Sequence, residues 1–426
     1  MNAYDDENEP VELGASIFVK VNHNLVNAAN AFNLSTSAMI RAQSEAPELG
    51  VWNGEEFVFV QAGDSNWWDT AKILWKYGLA PIKTLRLMKA TVGKFLKMYE
   101  KPYFPFKSLS ETAYELDLTA ITAQTGQQFL DANGIGGLFP NHVIQASTRV
   151  NYAQNLGQIH GLEAMVCMAT DGAMAIEGGN WKIFDGMLKA SGAQLHLNTA
   201  VTNIVKSIDG SYVVISKSTE SRVTQSVDRE VFDEVILAGP RQFANIDFAP
   251  EPRHSPDAIP YVQLHVTLFA SEHLLSPAAF NLPADQPVPQ VILTTTAPAQ
   301  KNIDMDFLSI SQLRAAIDIR HGSSNLEYLY KIFSMTPVNS TFLAHILGFE
   351  SLGPDDEINS SDISWMYRKL WNSYPYELPR VTFEESKLDD HLWYTSGIES
   401  FISTMETSSL MGMNVARLMV DEWLEV

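Results

Sequence analysis

The pattern of apolar and polar positions is clearest near the C-terminal end of the chain. Residues 392–394 (Leu-Trp-Tyr) have the composition of a short strand, and Ser396-Gly397 is typical of a tight turn. Apolar residues then recur at helical spacing; they are Ile398, Phe401, Ile402 and Met405. The pattern therefore predicts a strand, a turn and a long helix.

Such a turn is a candidate anion site, because the first turn of a helix leaves N–H groups unpaired and carries partial positive charge. A dinucleotide pyrophosphate is a typical ligand. Glu399 would repel a phosphate, so its carboxylate fits better as an acceptor for a cofactor hydroxyl. The alternative is a terminal helix that only packs against the core.

Residues 67–100 also have helical spacing, with many aromatic residues and seven cationic side chains on an otherwise acidic protein. The cationic residues are Lys72, Lys76, Lys83, Arg86, Lys89, Lys94 and Lys97. One interpretation is a set of amphipathic core helices with solvated lysines. The other is a lid that touches a membrane or an apolar substrate.

Two different strand patterns follow. In the first, paired glycines open a helix within 175–190, residues 194–205 alternate as a strand, and 232–240 is a largely apolar run. This run suits the middle of a parallel sheet, where both faces are buried. From residue 246 a period-2 pattern predicts a second, largely antiparallel sheet, with strands near 262–268, 290–296, 307–313 and 327–335. A helix is predicted through 364–368.

The composition excludes several classes of protein. The 426 residues include 29 basic and 50 acidic ones, a net charge of −21, which argues against nucleic acid and against electrostatic docking on anionic lipid. No apolar run reaches the roughly 18 residues of a membrane span. Cys167 is the one cysteine, which excludes an internal disulfide and a multi-cysteine metal site, and its apolar neighbours predict a buried residue. No metal site is predicted.

Four segments together resemble the prenylcysteine oxidase (prenylcysteine lyase) family of flavoproteins. They are residues 12–16 (Glu-Leu-Gly-Ala-Ser), 149–154 (Arg-Val-Asn-Tyr-Ala-Gln), 176–180 (Ile-Glu-Gly-Gly-Asn) and Tyr394 through Ala416. The last of them includes the Gly-Ile-Glu turn and Met405-Glu406-Thr407-Ser408. The resemblance covers nearly the whole chain in the same order.

The resemblance implies an α/β fold of amine-oxidase-like architecture. It has a discontinuous FAD/NAD(P)-binding, doubly wound (Rossmann-like) domain and an inserted α+β substrate domain. Changes of pattern assign the FAD-binding domain to 1–40, 160–245 and 385–426, a helical insert to 41–159, and a mixed β-sheet substrate domain to 246–384. The residues implied to contact FAD are Gly14, Ser16, Gly178, Gly179, Val201, Gly397, Ile398 and Glu399.

One departure from the family is large. The family begins with a strand, a Gly-x-Gly-x-x-Gly turn and a helix, whereas this chain starts downstream of them, at Val11-Glu12-Leu13-Gly14. A sheet without that strand would expose apolar edges and lose a phosphate cradle. We therefore expect an incomplete gene model that has also lost a signal peptide, and a chain whose FAD binding is in question.

The family's reaction is oxidative cleavage of the thioether in farnesyl- or geranylgeranylcysteine, with molecular oxygen, to a prenal, cysteine and hydrogen peroxide. Arg149 is the candidate for the substrate carboxylate, with Tyr152 or Glu177 near the amine, and a structural Arg–Glu pair is the alternative. The alternative functions are another FAD-dependent oxidase, for example of amines, and an inactive remnant that binds lipid. The resemblance implies a lysosomal, vacuolar or secretory location, for which the sequons at Asn33, Asn339 and Asn359 would matter.

Overall fold

The computed structural model describes residues 2–4, 10–38, 46–61, 67–220, 227–296, 305–317 and 326–425. The helices of this part of the chain are α1 (His23–Ala31), α2 (Trp67–Tyr77), α3 (Ala80–Phe95), α4 (Leu109–Glu115), α5 (Thr119–Thr122), α6 (Gly126–Ala132), α7 (Gln145–Tyr152), α8 (Gly161–Val166), α9 (Trp181–Ser191), α10 (Arg241–Ala244), α11 (Ser340–Leu347) and α12 (Met405–Glu425). Among the described residues, no helix combines the length and apolar composition that a membrane crossing requires.

The strands of the same residues are β1 (Asn2–Tyr4), β2 (Pro10–Glu12), β3 (Thr36–Ala38), β4 (Leu49–Trp52), β5 (Phe57–Gln61), β6 (Met174–Ile176), β7 (Thr199–Lys206), β8 (Tyr212–Ser218), β9 (Val227–Phe232), β10 (Val235–Leu237), β11 (Asp247–Ala249), β12 (Tyr261–Ser271), β13 (Val291–Thr294), β14 (Ser309–Ile317), β15 (Leu326–Ser334), β16 (Trp365–Pro375), β17 (Lys387–Asp389) and β18 (Leu392–Tyr394). The strands predicted near 262–268, 290–296, 307–313 and 327–335 are therefore confirmed.

The largest sheet has the order β16-β12-β15-β14-β13-β4-β5, and all its neighbouring pairs are antiparallel except β13 with β4. Val262, Leu264, Val266 and Leu268 are at most 1% exposed, as their alternation predicts. β4 and β5 join this sheet although they lie within 41–159, where the sequence predicts a helical insert. The domain boundaries themselves stay predictions.

The helix predicted through 364–368 is wrong, because this segment begins β16. Trp365 and Tyr367 stack with their ring centroids 6.5 Å apart, and both pack on the apolar cluster around Val262. Met366 packs on the cluster on the other side of the sheet. Apolar residues on both faces resemble a buried helix in sequence, and pairing with β12 over nine positions stabilises the strand instead.

The smaller sheets lie outside the large one. Among the described residues they are β10-β18-β17, β11-β7-β8-β9, β1-β2 and β3-β6, with β10 parallel to β18. The run 232–240 is predicted to lie in the middle of a parallel sheet, but among the described residues β10 pairs with β18 alone. Its Ile236 is 44% exposed. This edge is consequently open in the part of the chain that the structure describes.

The C-terminal segment, for which a strand, a turn and a long helix are predicted, forms partly as predicted. Strand 392–394 is confirmed and its residues are buried, but residues 396–400 form a 3₁₀ turn and α12 begins only at Met405. Ile398 in this turn and Phe401 directly after it instead complete the core beneath α3 to α8. The helix N-terminus therefore lies about two turns later than the spacing indicates.

Candidate functional site

A cavity of about 150 Å³ lies where the segment before α1, helix α3 and the N-terminal end of α12 meet. Its wall is mainly apolar and includes Phe18, Leu25, Val92, Phe95 and Cys167. Helix α3 contributes because its buried residues recur every three to four positions, so that one face turns inward. Cys167 is buried, as its apolar neighbours predict.

The N-terminal end of α12 contributes polar groups to the wall, through Thr404, Glu406 and Thr407. The backbone N–H of Thr407 donates to Oγ1 of Thr404 at 3.1 Å, and the N–H of Thr404 donates to Oγ1 of Thr407 at 3.1 Å. This reciprocal pair caps the helix, which explains why it begins here.

Glu406 joins α12 to α1. Its buried carboxylate accepts hydrogen bonds from the backbone N–H groups of Asn24 and Leu25, at 2.9 and 3.0 Å, and from the Tyr99 hydroxyl at 2.9 Å. The first N–H groups of α1 would otherwise be unpaired, so Glu406 caps this helix from across the fold. The sequence signal was available, because Glu406 belongs to a segment that resembles the family.

Tyr152, a predicted catalytic residue, lies at this cavity. Its hydroxyl donates to the backbone oxygen of Ser403 at 2.9 Å, one residue before the cap of α12. Burial and the neighbouring Glu163 carboxyl raise the pKa of Tyr152 well above its usual value. The hydroxyl therefore stays protonated and positions the turn that precedes α12.

Glu163, Glu377 and His160 form a fully buried group behind Tyr152. His160 Nδ1 accepts from the Glu163 N–H, and His160 Nε2 lies 3.5 Å from Oε2 of Glu377. Burial lowers the pKa of His160 to about 3 and raises the pKa of Glu163 to about 8. Burial and the Glu163 carboxyl also raise the pKa of Glu377. At neutral pH this group is thus a neutral imidazole beside protonated carboxyls, not an ion pair.

The structure brings the predicted segments 12–16 and 176–180 together. Oε1 of Glu12 accepts from the N–H of Asn180 at 2.7 Å, and Nδ2 of Asn180 donates to the Ala15 oxygen at 2.8 Å. Ser16 Oγ accepts from Nζ of Lys331 at 2.8 Å. Sequence reasoning missed Lys331, which is buried on β15, and burial lowers its pKa to about 8. A lysine between the apolar residues Tyr330 and Ile332 is the signal that could have indicated it.

Of the predicted residues of the C-terminal turn, Gly397 lines a separate cleft. Oε2 of Glu399 accepts from the Tyr261 hydroxyl at 3.0 Å, and burial raises the pKa of Glu399. Ile398 is fully buried in the helical core, while Gly397 lines the cleft together with Glu384. Val201, on β7, packs beside β10 and β18. Contact of these residues with FAD stays a prediction.

The other two candidate catalytic residues are held by different elements. Arg149 on α7 donates through Nε to Thr294 Oγ1 at 3.1 Å and through Nη1 to Asn155 Oδ1 at 3.0 Å. Glu177 is exposed, and its backbone oxygen accepts from Nζ of Lys182. The roles predicted for Arg149 and Glu177 toward the substrate stay predictions.

The cavity and two glycines indicate how a flavin fits the described residues. Apolar walls beside a helix N-terminus suit a flat ring system that carries carbonyl oxygens. A Cβ added at Gly179 would lie 2.5 Å from Cδ1 of Trp181, and one at Gly397 would lie 2.9 Å from Cβ of Glu384. Since neighbouring side chains fill the space beside these glycines, the described residues fit the ring portion of a flavin but do not form a cradle for its pyrophosphate.

Comparison with known proteins extends this description. Farnesylcysteine lyase from Arabidopsis thaliana is 28% identical over 97% of this chain and 78% of its own length. Prenylcysteine oxidase 1 from Homo sapiens is 24% identical over 98% of this chain and 80% of its own length.

The fold has solved counterparts. A double mutant of putrescine oxidase, from a redesign of its cofactor binding, has a TM-score of 0.57 at 12% identity, over 99% of this chain and 90% of that one. The wild type bound to putrescine has a TM-score of 0.54 at 11% identity, with the same coverage. The predicted amine-oxidase-like fold is therefore confirmed.

The family model described as prenylcysteine lyase matches residues 60–426, which include α3, the Tyr152 segment and the whole of α12. The match spans most of the sequence. It also covers every wall of the cavity except the segment before α1 and the start of α1. The chain therefore belongs to the prenylcysteine lyase family.

Proposed function

We propose that this protein is an FAD-dependent oxidoreductase that cleaves the thioether of prenylcysteine, with molecular oxygen as the acceptor. The observation that carries the proposal is the apolar cavity at the N-terminus of α12 in a member of the prenylcysteine lyase family. The names of the relatives, farnesylcysteine lyase and prenylcysteine oxidase, support the same substrate.

The protein's own residues would act by binding, orientation and exclusion of water. Phe18, Val92 and Phe95 offer apolar surface to an isoprenoid tail, which contributes about 0.8 kcal/mol for each CH₂ group buried. When bound, a flavin supplies the acceptor for a hydride from the carbon next to sulfur. Arg149 would bind the substrate carboxylate, with Tyr152 or Glu177 near the amine.

Two measurements test the cofactor and the reaction. The absorbance spectrum of the purified protein, before and after addition of FAD, should show a bound flavin. Hydrogen peroxide release should then be measured with farnesylcysteine, geranylgeranylcysteine and putrescine. Release with a prenylcysteine alone supports the proposal, and release with putrescine alone favours an amine oxidase. A protein without a flavin spectrum in either condition contradicts the enzymatic function of this chain.

A cavity-filling variant tests the site itself. Val92→Phe adds a ring to the wall of the cavity, so KM for prenylcysteine should rise about tenfold or more. The matched control is Val231→Phe on the exposed strand β9, which should leave KM unchanged. Arg149→Ala tests the carboxylate assignment, which is wrong if the apparent affinity for prenylcysteine is unchanged.

We also propose a lysosomal, vacuolar or secretory location. The side chains of Asn33, Asn339 and Asn359, the sequon positions, are exposed and open to modification. Digestion of the protein from its natural source with an N-glycosidase should lower its apparent mass on a gel. An unchanged mass would remove this support.

A further inference from the structure

The charge of this chain is unevenly distributed. Residues 72–97 contain seven of the 29 basic residues and none of the 50 acidic ones. They form the end of α2, the turn after it, α3 and the first residues beyond α3. We call the exposed side of this segment the α2–α3 basic face. A local cationic surface thus lies on a protein whose net charge is −21.

Large apolar side chains project from the same face. Trp75 is 92% exposed, Leu79 is 64%, Leu85 is 49% and Ile82 is 38% exposed. Trp75 and Leu79 flank the turn between α2 and α3, so they stand at the tip of a helical hairpin. Exposure of a tryptophan to this extent costs solvation free energy, and side chains of this kind favour the boundary between water and lipid.

Two of the basic side chains bind backbone oxygens, which leaves their positive charge in place. Nζ of Lys76 donates to the Val58 oxygen at 2.5 Å and Nζ of Lys83 to the Gly134 oxygen at 2.9 Å, and a carbonyl acceptor does not neutralise an ammonium group. Lys94 lies 3.5 Å from the Asp117 carboxylate, which is a weak exposed pair. Arg86 and Lys89 are exposed on the same stretch of α3 as Leu85.

The opposite side of α3 forms part of the cavity. Phe95 lines the cavity, while Arg86, nine residues earlier and so on the opposite side of a helix with 3.6 residues per turn, is exposed. If the exposed side of α3 binds at a lipid boundary, the cavity wall on the other side of the helix would therefore also lie close to the lipid.

We propose that the α2–α3 basic face docks on an anionic phospholipid bilayer, with Trp75 and Leu79 in the headgroup region and the cations beside the phosphates. The net charge alone argues against such docking. Screening limits electrostatic interactions to about 8 Å at physiological salt. The charge of the contacting face therefore determines membrane binding, rather than the net charge of the protein. The apolar tip at Trp75 and Leu79 and the cationic side chains beside it together match the interfacial region of a lipid bilayer.

The experiment is co-sedimentation of the purified protein with vesicles of phosphatidylcholine, with or without phosphatidylserine, at low and high salt. Binding should require phosphatidylserine and fall at high salt. The triple variant Arg86→Glu, Lys89→Glu, Lys97→Glu should lower the partition coefficient by about a hundredfold. The double variant Trp75→Ser, Leu79→Ser should lower it by about tenfold.

Matched controls carry the same changes on other surfaces. Lys107→Glu, Lys217→Glu and Arg229→Glu reverse three exposed charges, and Leu195→Ser with Leu197→Ser removes exposed apolar groups. Circular dichroism checks that every variant is folded. Three results would each overturn the proposal: no binding of the wild type, equal binding to neutral vesicles, or equal losses of binding in the control variants. If the wild type does not bind, an acidic protein partner becomes the explanation of the α2–α3 basic face. Since no substrate or cofactor is added, the outcome is independent of the proposed function.

Discussion

Two buried carboxyl sites near the same cavity differ in how their polar atoms are satisfied. Glu406 receives three hydrogen bonds, two of them from the first turn of α1. Glu163 and Glu377 are equally buried, yet their side-chain oxygens have no hydrogen-bond partner in the structure. Burial of a carboxyl group is therefore compensated by donors in one region and by retention of a proton in the other.

The difference indicates different roles. A satisfied carboxylate between two helices fixes their relative position, and here it fixes the entrance of α1 against the N-terminus of α12. An unsatisfied, protonated pair adds little structure at neutral pH and makes stability depend on pH. We expect stability to depend on substitution at Glu406 in the first region, and on pH through Glu163 and Glu377 in the second.

The largest effect is expected for Glu406→Ala. It leaves the N–H groups of Asn24 and Leu25 and the Tyr99 hydroxyl unpaired, which should lower the free energy of unfolding by about 3–5 kcal/mol. Urea denaturation measures this change. The control on the same helix is Glu422→Ala, whose exposed pair with Lys387 contributes about 0–1 kcal/mol. Equal losses in both variants would contradict the helix-joining role.

The second effect concerns pH. The pKa of Glu163 is raised to about 8, so above pH 4.5 the folded protein keeps a proton that the unfolded chain releases, and stability falls as pH rises toward 8. His160, with its pKa lowered to about 3, acts in the opposite direction below pH 6.5. Between pH 6.5 and 8 the free energy of unfolding should therefore fall by up to about 1.4 kcal/mol per pH unit for each such carboxyl.

The same denaturation series with Glu163→Gln sharpens this test. The amide does not titrate, so the slope between pH 6.5 and 8 should decrease. Glu115→Gln, at an exposed position of α4, should leave the slope as in the wild type. A Glu163→Gln profile that is parallel to the wild-type profile would assign the dependence to other groups.

The smallest effect is expected for Tyr152→Phe, at the boundary between the two regions. Loss of the hydrogen bond to the Ser403 oxygen should lower the free energy of unfolding by about 1 kcal/mol. Tyr114→Phe, at a site that is 76% exposed, is the matched control and should change it by much less. If Tyr152→Phe is as stable as the wild type, the hydroxyl does not hold the turn before α12.

Much of the fold could be predicted from local pattern. The strands from 262 to 334 alternate with period 2, and α3 shows helical spacing, because each has one face in a continuous core. The pattern failed at Trp365–Pro375, where both faces of a strand carry large apolar residues. It also failed at 396–404, where Ile398 and Phe401 pack in the core from a 3₁₀ turn.

The candidate site was predicted less completely. Segments 12–16 and 176–180 were named together, and they do meet through Asn180. Lys331 and Glu406 were given no role, because their partners are 315 and 382 residues away in the chain. A hydrogen bond between such distant residues leaves no periodic trace.

The amino-acid sequence thus established the family resemblance, the alternation of the large sheet and the concentration of cations at 72–97, since these depend on residue types and short spacings. Which carboxyls are satisfied, where α12 begins and which side of α3 faces the cavity were settled by packing between distant segments. Burial and hydrogen-bond partners depend on the whole fold, and they decide whether a glutamate joins two helices or retains a proton.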